Sequence, residues 1–313
     1  MEVSNRSYKA LRSWRKEGLN LDICEINRTF KYKKQKLSEV SIKDILIEEE
    51  KYGICAKKGN YRKEMEDTYS VALELHNSSF KHAFAIFDGH SGTEASVFAS
   101  KNLIQNIDTL DEKGIIEAFQ LTDIHFCNEN PRKGGTTVAL TIIDHGHLIS
   151  ANIGDTKIIL VKNSSFEVLS YDHIASDSSE QSRIELAGGY IINTHNTMRV
   201  CGQLAITRSI GDARYKDFLI PIPCFKTTKM SVEDIALVIA SDGLFETLSP
   251  EQVSAIVREK QEHQPSQIAE VLAAEAIDNG SKDNVTVMVV KLQEFYTLAC
   301  SQTERNKQKS FKF

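Results

Sequence analysis

The sequence predicts an α+β fold in which two antiparallel sheets pack face to face with helices outside them. Three observations carry this reading. Runs rich in Val, Ile and aromatic residues recur along the chain with polar or glycine breaks between them, the pattern of short strands in an antiparallel core. Helix-like segments with their own caps are inserted between groups of strands, which suits sheets with helices laid on them. No internal repeat and no low-complexity linker divides the chain, so one domain holds these elements.

The strand-like runs are Thr68–Leu75, Ala83–Phe87, Thr136–Ile143, Leu148–Ile153, Lys157–Val161, Ile235–Ala240 and Val285–Leu292. The helical segments are Thr93–Gln105, Glu112–Asn128, Ser178–Leu186, Pro250–Gln261 and Ser266–Asp278. Ser249-Pro250-Glu251-Gln252 supplies an N-cap serine, a proline at the first helical position and a capping-box glutamine. Gly188 and Gly280 stand where a helix C-terminal glycine belongs. The folded unit is expected over residues 52–295. Residues 1–51 form a basic and polar extension, partly helical around Ile42 to Glu50, and residues 296–313 a polar tail.

The chain has 313 residues, 41% of them hydrophobic and 26% charged, which is enough for a large core and typical of a soluble protein. A net charge of -5 gives nucleic acid or an anionic membrane no general attraction. No run approaches the roughly 18 apolar residues of a membrane span, and Met1 to Lys16 lacks the apolar stretch of a secretory signal. The six cysteines are scattered with no C-x-x-C pair, which argues against zinc or a disulfide framework and for reduced thiols in cytosol or nucleus.

Chemistry concentrates at strand ends. The apolar run Phe84-Ala85-Ile86-Phe87 stops at Asp88-Gly89-His90. A carboxylate there is held by a core strand while its oxygens face outward, although a single acid would serve equally well as a cap for the next helix. The pattern recurs, however. Glu66 and Asp67 precede Thr68–Leu75, Asp242 follows Ile235–Ala240, and Asp283 precedes Val285–Leu292. In an antiparallel sheet the end of one strand lies beside the start of its neighbour, so these acids can gather at one edge. Ionised carboxylates at such distances repel, and a hard divalent cation such as Mg²⁺ or Mn²⁺, which prefers oxygen ligands, relieves them.

The motifs stand in a telling order: Gly59-Asn60-Tyr61-Arg62-Lys63-Glu64-Met65-Glu66-Asp67, Phe87-Asp88-Gly89-His90-Ser91-Gly92, Gly134-Gly135-Thr136-Thr137 and Ala151-Asn152-Ile153-Gly154-Asp155. Asp172-His173, Arg183-Ile184 with Gly188-Gly189, Leu204 to Asp212, Ser241-Asp242-Gly243 and Lys282-Asp283-Asn284 follow. From Tyr52 to Leu292 the chain resembles the metal-dependent protein phosphatases of type 2C. The resemblance implies a four-layer α-β-β-α sandwich and hydrolysis of phosphoserine and phosphothreonine in proteins by a monomer. It implies two Mg²⁺ or Mn²⁺ ions per subunit, with Asp88 bridging them, Asp242 and Asp283 completing one site, and Glu66 and the Gly89 carbonyl holding the other. Asp67 would act through a water on the metal. Arg62 would bind the phosphate, and His90 would protonate the departing Ser or Thr oxygen. Water activated between two metals attacks phosphorus in line and needs no phosphoenzyme. In keeping with this, no cysteine is followed by the arginine of a C-x5-R loop. Asp155 and His173 read as structural.

Two departures stand out. The family's Asp-Gly-x-x-Asp is here Asp242-Gly243-Leu244-Phe245-Glu246, which bears on a weaker third metal site that Asp212 would also serve. Asp172-His173-Ile174-Ala175 replaces Asp-His-x-Pro and removes no ligand. The rival readings are a fold-retaining pseudophosphatase that only binds partners and a different two-metal phosphoesterase, such as a nuclease. The intact acid set opposes the first; the net charge and motif order oppose the second. In the extension, Lys31, Lys33, Lys34 and Lys36 precede Val40-Ser41-Ile42. That order resembles kinase-docking peptides and suits nuclear targeting as well, while a plain solvated charge run is the commoner reading of such a segment.

Overall fold

A computed structural model of the chain describes residues 44–75, 81–130 and 133–297. One sheet has five antiparallel strands in the order β14 (Cys224–Lys229), β8 (His147–Ile153), β7 (Val138–Asp144), β4 (Lys81–Phe87) and β3 (Thr68–Ala72). The other has six, in the order β1 (Ile45–Glu48), β2 (Tyr52–Lys57), β16 (Val285–Lys291), β15 (Asp234–Ala240), β9 (Lys157–Lys162) and β10 (Phe166–Val168).

The central strands are buried along most of their length and largely apolar because both of their faces are covered, with a few polar residues such as Thr141 and Thr286 among them. On β4, Phe84 and Ile86 point between the sheets, where they meet Leu237 and Ile239 of β15 and Met288 and Val290 of β16. Ala83, Ala85 and Phe87 point the other way, onto helices α1 (Glu94–Asn102) and α2 (Glu112–Glu129). The opposite faces of β15 and β16 carry Ala236, Val238, Val287 and Val289, which bury α5 (Pro250–Glu259) and α6 (Pro265–Asp278). The layers therefore run helix, sheet, sheet, helix, as expected. A smaller unit, α3 (Ser178–Leu186) with the hairpin β11 (Ile191–Thr194) and β12 (Thr197–Val200), packs around its own cluster of Ala175, Ile184, Val200 and Leu219.

Local signals hold where side chains satisfy the helix ends. Ser249 and Gln252 form the reciprocal capping box at α5, and Gly188 and Gly280 take left-handed backbone after α3 and α6. The expectation of helix around Ile42 to Glu50 is overturned over its described part: Ile45–Glu48 is strand β1, paired with Gly53–Ala56 of β2. The alternation Ile45, Ile47 inward against Leu46, Glu48 outward is a period of two, and it carries the sheet beyond the start expected at residue 52. The strand β14, absent from the sequence reading, is an edge strand with Lys226 and Lys229 among its six residues; edge strands carry charge because one side faces water. At the other end of the described chain, Phe295 is buried between the sheets and Tyr296 packs beside it. The basic run from Lys31 to Lys36 with Val40 and Ile42, and the tail from residue 298, lie outside the described residues. No described helix is long and apolar enough to cross a membrane.

Candidate active site

Strand register explains why distant acids meet. In the first sheet, Thr68 pairs with Phe87, Ile86 with Ala139, and Val138 with Ile153, so Asp67, Asp88 and Asp155 leave neighbouring strands at the same edge. In the second sheet, Ala240 pairs with both Val287 and Lys157, so Asp242 and Asp283 emerge beside the start of β9. Packing the sheets face to face closes the two edges on each other. Two groups of carboxylates result, with oxygens lying within 4.8 Å of one another: Asp88, Asp155 and Asp242, and Asp242, Glu246 and Asp283. Asp242 belongs to both, at the start of the single-turn helix α4 (Asp242–Phe245).

The electrostatics of this edge are unfavourable as it stands. Burial and then the charge of Asp242, with Asp67 and Asp155 adding to it, hold the Asp88 carboxyl well above the usual range. Asp242 is pushed well above it in the same way, by burial first and then by Asp155 and Asp283. Asp67, 2% exposed, is raised to about 7 by burial, even though Thr286 Oγ1 donates to its Oδ2 at 2.7 Å. Burial likewise raises Asp155 to about 6. Groups clustered in this way bind protons or cations strongly, and an all-carboxylate donor set suits a hard divalent ion. The residues present therefore fit Mg²⁺ or Mn²⁺.

The remaining expected residues surround this edge. Gly89 and His90 form the two-residue strand β5, which pairs with β6 (Gly135–Thr136), itself paired with β13 (Ile210–Gly211). A side chain at position 89 would strike the Glu66 carbonyl oxygen, its Cβ only 2.4 Å away, so glycine is required there. Glu66 lies at the same edge, but its side chain accepts the Gly92 N–H at 2.6 Å and joins neither group of converging oxygens. Arg62 reaches Asp283 through Nη2, while its guanidinium stays half-exposed.

Asp212 lies apart from the converging oxygens and against His90, with Oδ2 2.8 Å from Nε2. Burial works against charge on the His90 ring, but the hydrogen bond and charge of Asp212, joined by Asp155 and Glu66, raise its pKa above the ordinary value. A left-handed turn at Gly211 and Asp212 aims this carboxylate. Ser209 Oγ donates to it at 2.7 Å. The turn is held from below by a buried ion pair: Lys216 Nζ lies 2.8 Å from Asp123 Oδ1, which also accepts the Gly211 N–H at 2.8 Å.

Two residues enter the acid groups beyond the sequence assignment. Glu246, doubtful in the sequence because of its extra methylene, reaches Asp242 and Asp283. Asp155, read there as structural, sits among the acids because Gly154 turns the chain directly off the end of β8. The signal was present, since an apolar strand ending in an acid is the pattern that marked Asp88 and Asp242. His173 is buried, with its pKa lowered to about 3 chiefly by burial, and its backbone bonds Gly154 and Thr207.

Comparison with known proteins places this geometry. A family model described as protein phosphatase 2C matches residues 51–285. A relative from Arabidopsis thaliana, probable protein phosphatase 2C 25, is 32% identical over 257 residues, covering 78% of this chain and 65% of its own. Protein phosphatase 2C homolog 1 of Saccharomyces cerevisiae is 32% identical over 261 residues, covering 75% and 91%. The chain thus spans about two thirds of the length of that Arabidopsis relative, and most of the yeast one. Among solved structures, a serine-threonine phosphatase 2C from Toxoplasma gondii superposes with a TM-score of 0.69 at 19% identity, over 79% of this chain and 98% of its own. At that identity the likeness speaks for the fold.

Proposed function

Since the chain belongs to the protein phosphatase 2C family, we propose that it hydrolyses phosphoserine and phosphothreonine in proteins at a centre of Mg²⁺ or Mn²⁺. The observation that carries the reading is the meeting of Asp88, Asp155, Asp242, Glu246 and Asp283 at one edge of the sandwich, with His90 and Arg62 beside them.

Asp88, Asp242 and Asp283, with Glu66 and the Gly89 carbonyl, are the groups that would hold two ions; Glu246, within reach of Asp242 and Asp283, and Asp212 are the groups that would serve a weaker third, and Asp155 adds a carboxylate beside Asp88 and Asp242. When bound, the ions supply an acidified water for in-line attack on phosphorus and neutralise charge on the phosphoryl oxygens. The protein supplies the rest. Asp67, buried and bonded to Thr286, orients water at the metal edge. Arg62 has donors beyond the one given to Asp283, and these can grip a phosphoryl oxygen pair. With Nε2 of His90 committed to Asp212, Nδ1 is the nitrogen that hands a proton to the leaving Ser or Thr oxygen.

We place the protein in cytosol or nucleus, on its scattered cysteines, and treat it as a monomer acting on phosphoproteins. The basic run ahead of Val40 and Ile42 is a candidate tether to a kinase substrate. Changing Lys33, Lys34 and Lys36 to Glu should then slow turnover of an intact phosphorylated kinase while sparing a short phosphopeptide. The activity itself is tested by phosphate release from a phosphothreonine peptide with Mn²⁺, with and without chelator. Full turnover after exhaustive metal removal would refute the metal centre.

A further inference from the structure

An open cleft of about 570 Å³ lies next to the acid edge, between the start of β9, the segment that follows β10 and the first turn of α5. Its floor and walls are mixed. Val168, Ile174 and Pro250 supply apolar surface, and Tyr171, 43% exposed, presents its ring. Three charged side chains also line it: Lys157, Asp172 and Asp177.

The charges do not cancel. The Lys157 ammonium pairs with Asp172 and lies 5.7 Å from the centre of the Phe245 ring, so it is already satisfied. Asp177 has no cationic partner among the described residues. It accepts from Ser179 N at 2.9 Å, Ser179 Oγ at 2.5 Å, Glu180 N at 3.0 Å and Tyr171 Oη at 2.6 Å, all neutral donors. Those bonds, led by Ser179, lower its pKa to about 2, so it is ionised at neutral pH. One carboxylate charge is therefore left over, next to an exposed aromatic ring and an apolar wall. The N-terminus of α3, which Asp177 caps, offsets part of that charge, so the selectivity it gives is modest.

The position matters as much as the lining. Lys157 pairs across the sheet with Ala240, just before Asp242, and the charges of Lys157 and Asp172 both reach Asp155. A phosphoryl group held at the acid edge would thus place neighbouring substrate residues along the cleft. An extended chain covers roughly 14 Å in four residues, enough for such a reach.

We propose that this cleft receives a lysine or arginine side chain of the phosphoprotein substrate, close in sequence to the phosphorylated residue. The aliphatic stem of such a side chain lies along Val168, Ile174 and Pro250, and its cationic head meets Asp177 and the Tyr171 ring. The assignment rests on the phosphatase reading, and the experiment separates the two.

Phosphothreonine peptides are compared in pairs that differ only by Arg or Gln at one position, scanned over four residues on each side of the phosphate. kcat/KM is measured with Mn²⁺ for the wild type, Asp177→Asn and Asp177→Ser. Both replacements retain a side chain able to cap α3. The expected result is one position at which Arg exceeds Gln about fivefold in the wild type, through KM, with that ratio falling to within about twofold in both variants. Because the ratio is taken within each enzyme, a general loss of activity cancels. A wild type indifferent to Arg at every position, or a preference that survives both variants, overturns the proposal. Binding of the same peptide pairs is also followed by fluorescence anisotropy without metal. Equal binding at every position counts against the cleft whether or not phosphate is released. Tighter binding of the Arg peptide without any phosphate release supports the cleft and overturns the phosphatase reading alone.

Discussion

The ring of His90 and the carboxylate of Asp212 are held 2.8 Å apart by two short strands that pair with the same third one. β5 delivers His90, β13 delivers Asp212, and β6 lies between them. The pair is therefore a product of backbone hydrogen bonding, and the charge on Asp212 keeps the ring protonated at a higher pH than an isolated imidazole.

If His90 donates the proton to the leaving oxygen, its loss matters most where the leaving group is poor. His90→Gln should slow a phosphoserine peptide by a hundredfold or more, in the ~10²–10⁴ range of general-acid catalysis, and an aryl phosphate far less. Asp212→Asn should show the same substrate dependence to a smaller degree. Steady-state rates on both substrates decide it. Equal losses would remove His90 from that role.

Asp88 offers a test in which stability and activity move in opposite directions. Without metal, Asp88 is buried among Asp242, Asp67 and Asp155, a like-charge cluster. Asp88→Asn should therefore raise the melting temperature in chelator at pH 7 by a few degrees, while nearly abolishing turnover. Added Mn²⁺ should stabilise the wild type in proportion to RT ln(1 + [L]/Kd) and leave the variant almost unmoved. Calorimetric melting with and without Mn²⁺ measures both. A variant that keeps more than about a tenth of kcat, a loss under roughly 1.4 kcal/mol, would contradict the bridging assignment.

Glu180 predicts a pH dependence. Its carboxylate is 2% exposed and accepts from Arg183, Arg208 and the Thr207 hydroxyl, tying α3 to the segment that leads into Ser209 and Asp212. Burial alone would raise its pKa, but Arg208 and Arg183 outweigh it and bring it from 4.5 to about 2. A depressed carboxylate stabilises the fold above its unfolded pKa and ceases to do so as pH falls through the folded one. The contribution at pH 7 is on the order of 3 kcal/mol. Glu180→Gln should cost at least that much in urea unfolding at pH 7, because two guanidinium groups lose their partner. The gap between wild type and variant should narrow as pH drops from 4.5 toward 2, and a gap independent of pH would show that Glu180 is not the titrating group.

What the sequence made legible follows from how each feature is encoded. The sandwich core reads directly, because strands covered on both faces run largely apolar, as in Phe84–Phe87 and Ile235–Ala240. Asp88, Asp242 and Asp283 were visible because the register of antiparallel strands sends their ends to one edge. Asp155 shares the pattern yet reads as structural from sequence alone, because one Gly-Asp at a strand end is equally the mark of a turn. The Asp212–His90 contact was hidden for a different reason. It depends on the pairing of two-residue strands, β5, β6 and β13, too short to leave any periodicity. The helix expected before residue 50 failed because four residues, Ile45–Glu48, are too few to separate a period of two from one of 3.6 when charged residues follow directly.

Gly135 gives the narrowest test of the His90–Asp212 arrangement. Its backbone is ordinary, with no left-handed conformation that would forbid a side chain, so alanine brings no conformational penalty of that kind. The space is the obstacle. A Cβ at position 135 would stand 2.1 Å from Asp212 Oδ2 and 2.9 Å from His90 Nε2, both well inside van der Waals contact. One of the two side chains must therefore move, and either movement breaks the hydrogen bond between them. Gly135→Ala leaves the acids at the strand ends in place, so Mn²⁺ binding measured by calorimetry should stay within about threefold of the wild type. Turnover of a phosphoserine peptide should fall tenfold or more, close to the effect of Asp212→Asn, and the double variant should lose little beyond the larger single loss, because both changes act on one interaction. Additive losses in the double variant would mean that Gly135 and Asp212 matter to catalysis for separate reasons, and that the hydrogen bond between Asp212 and His90 is not what the glycine protects.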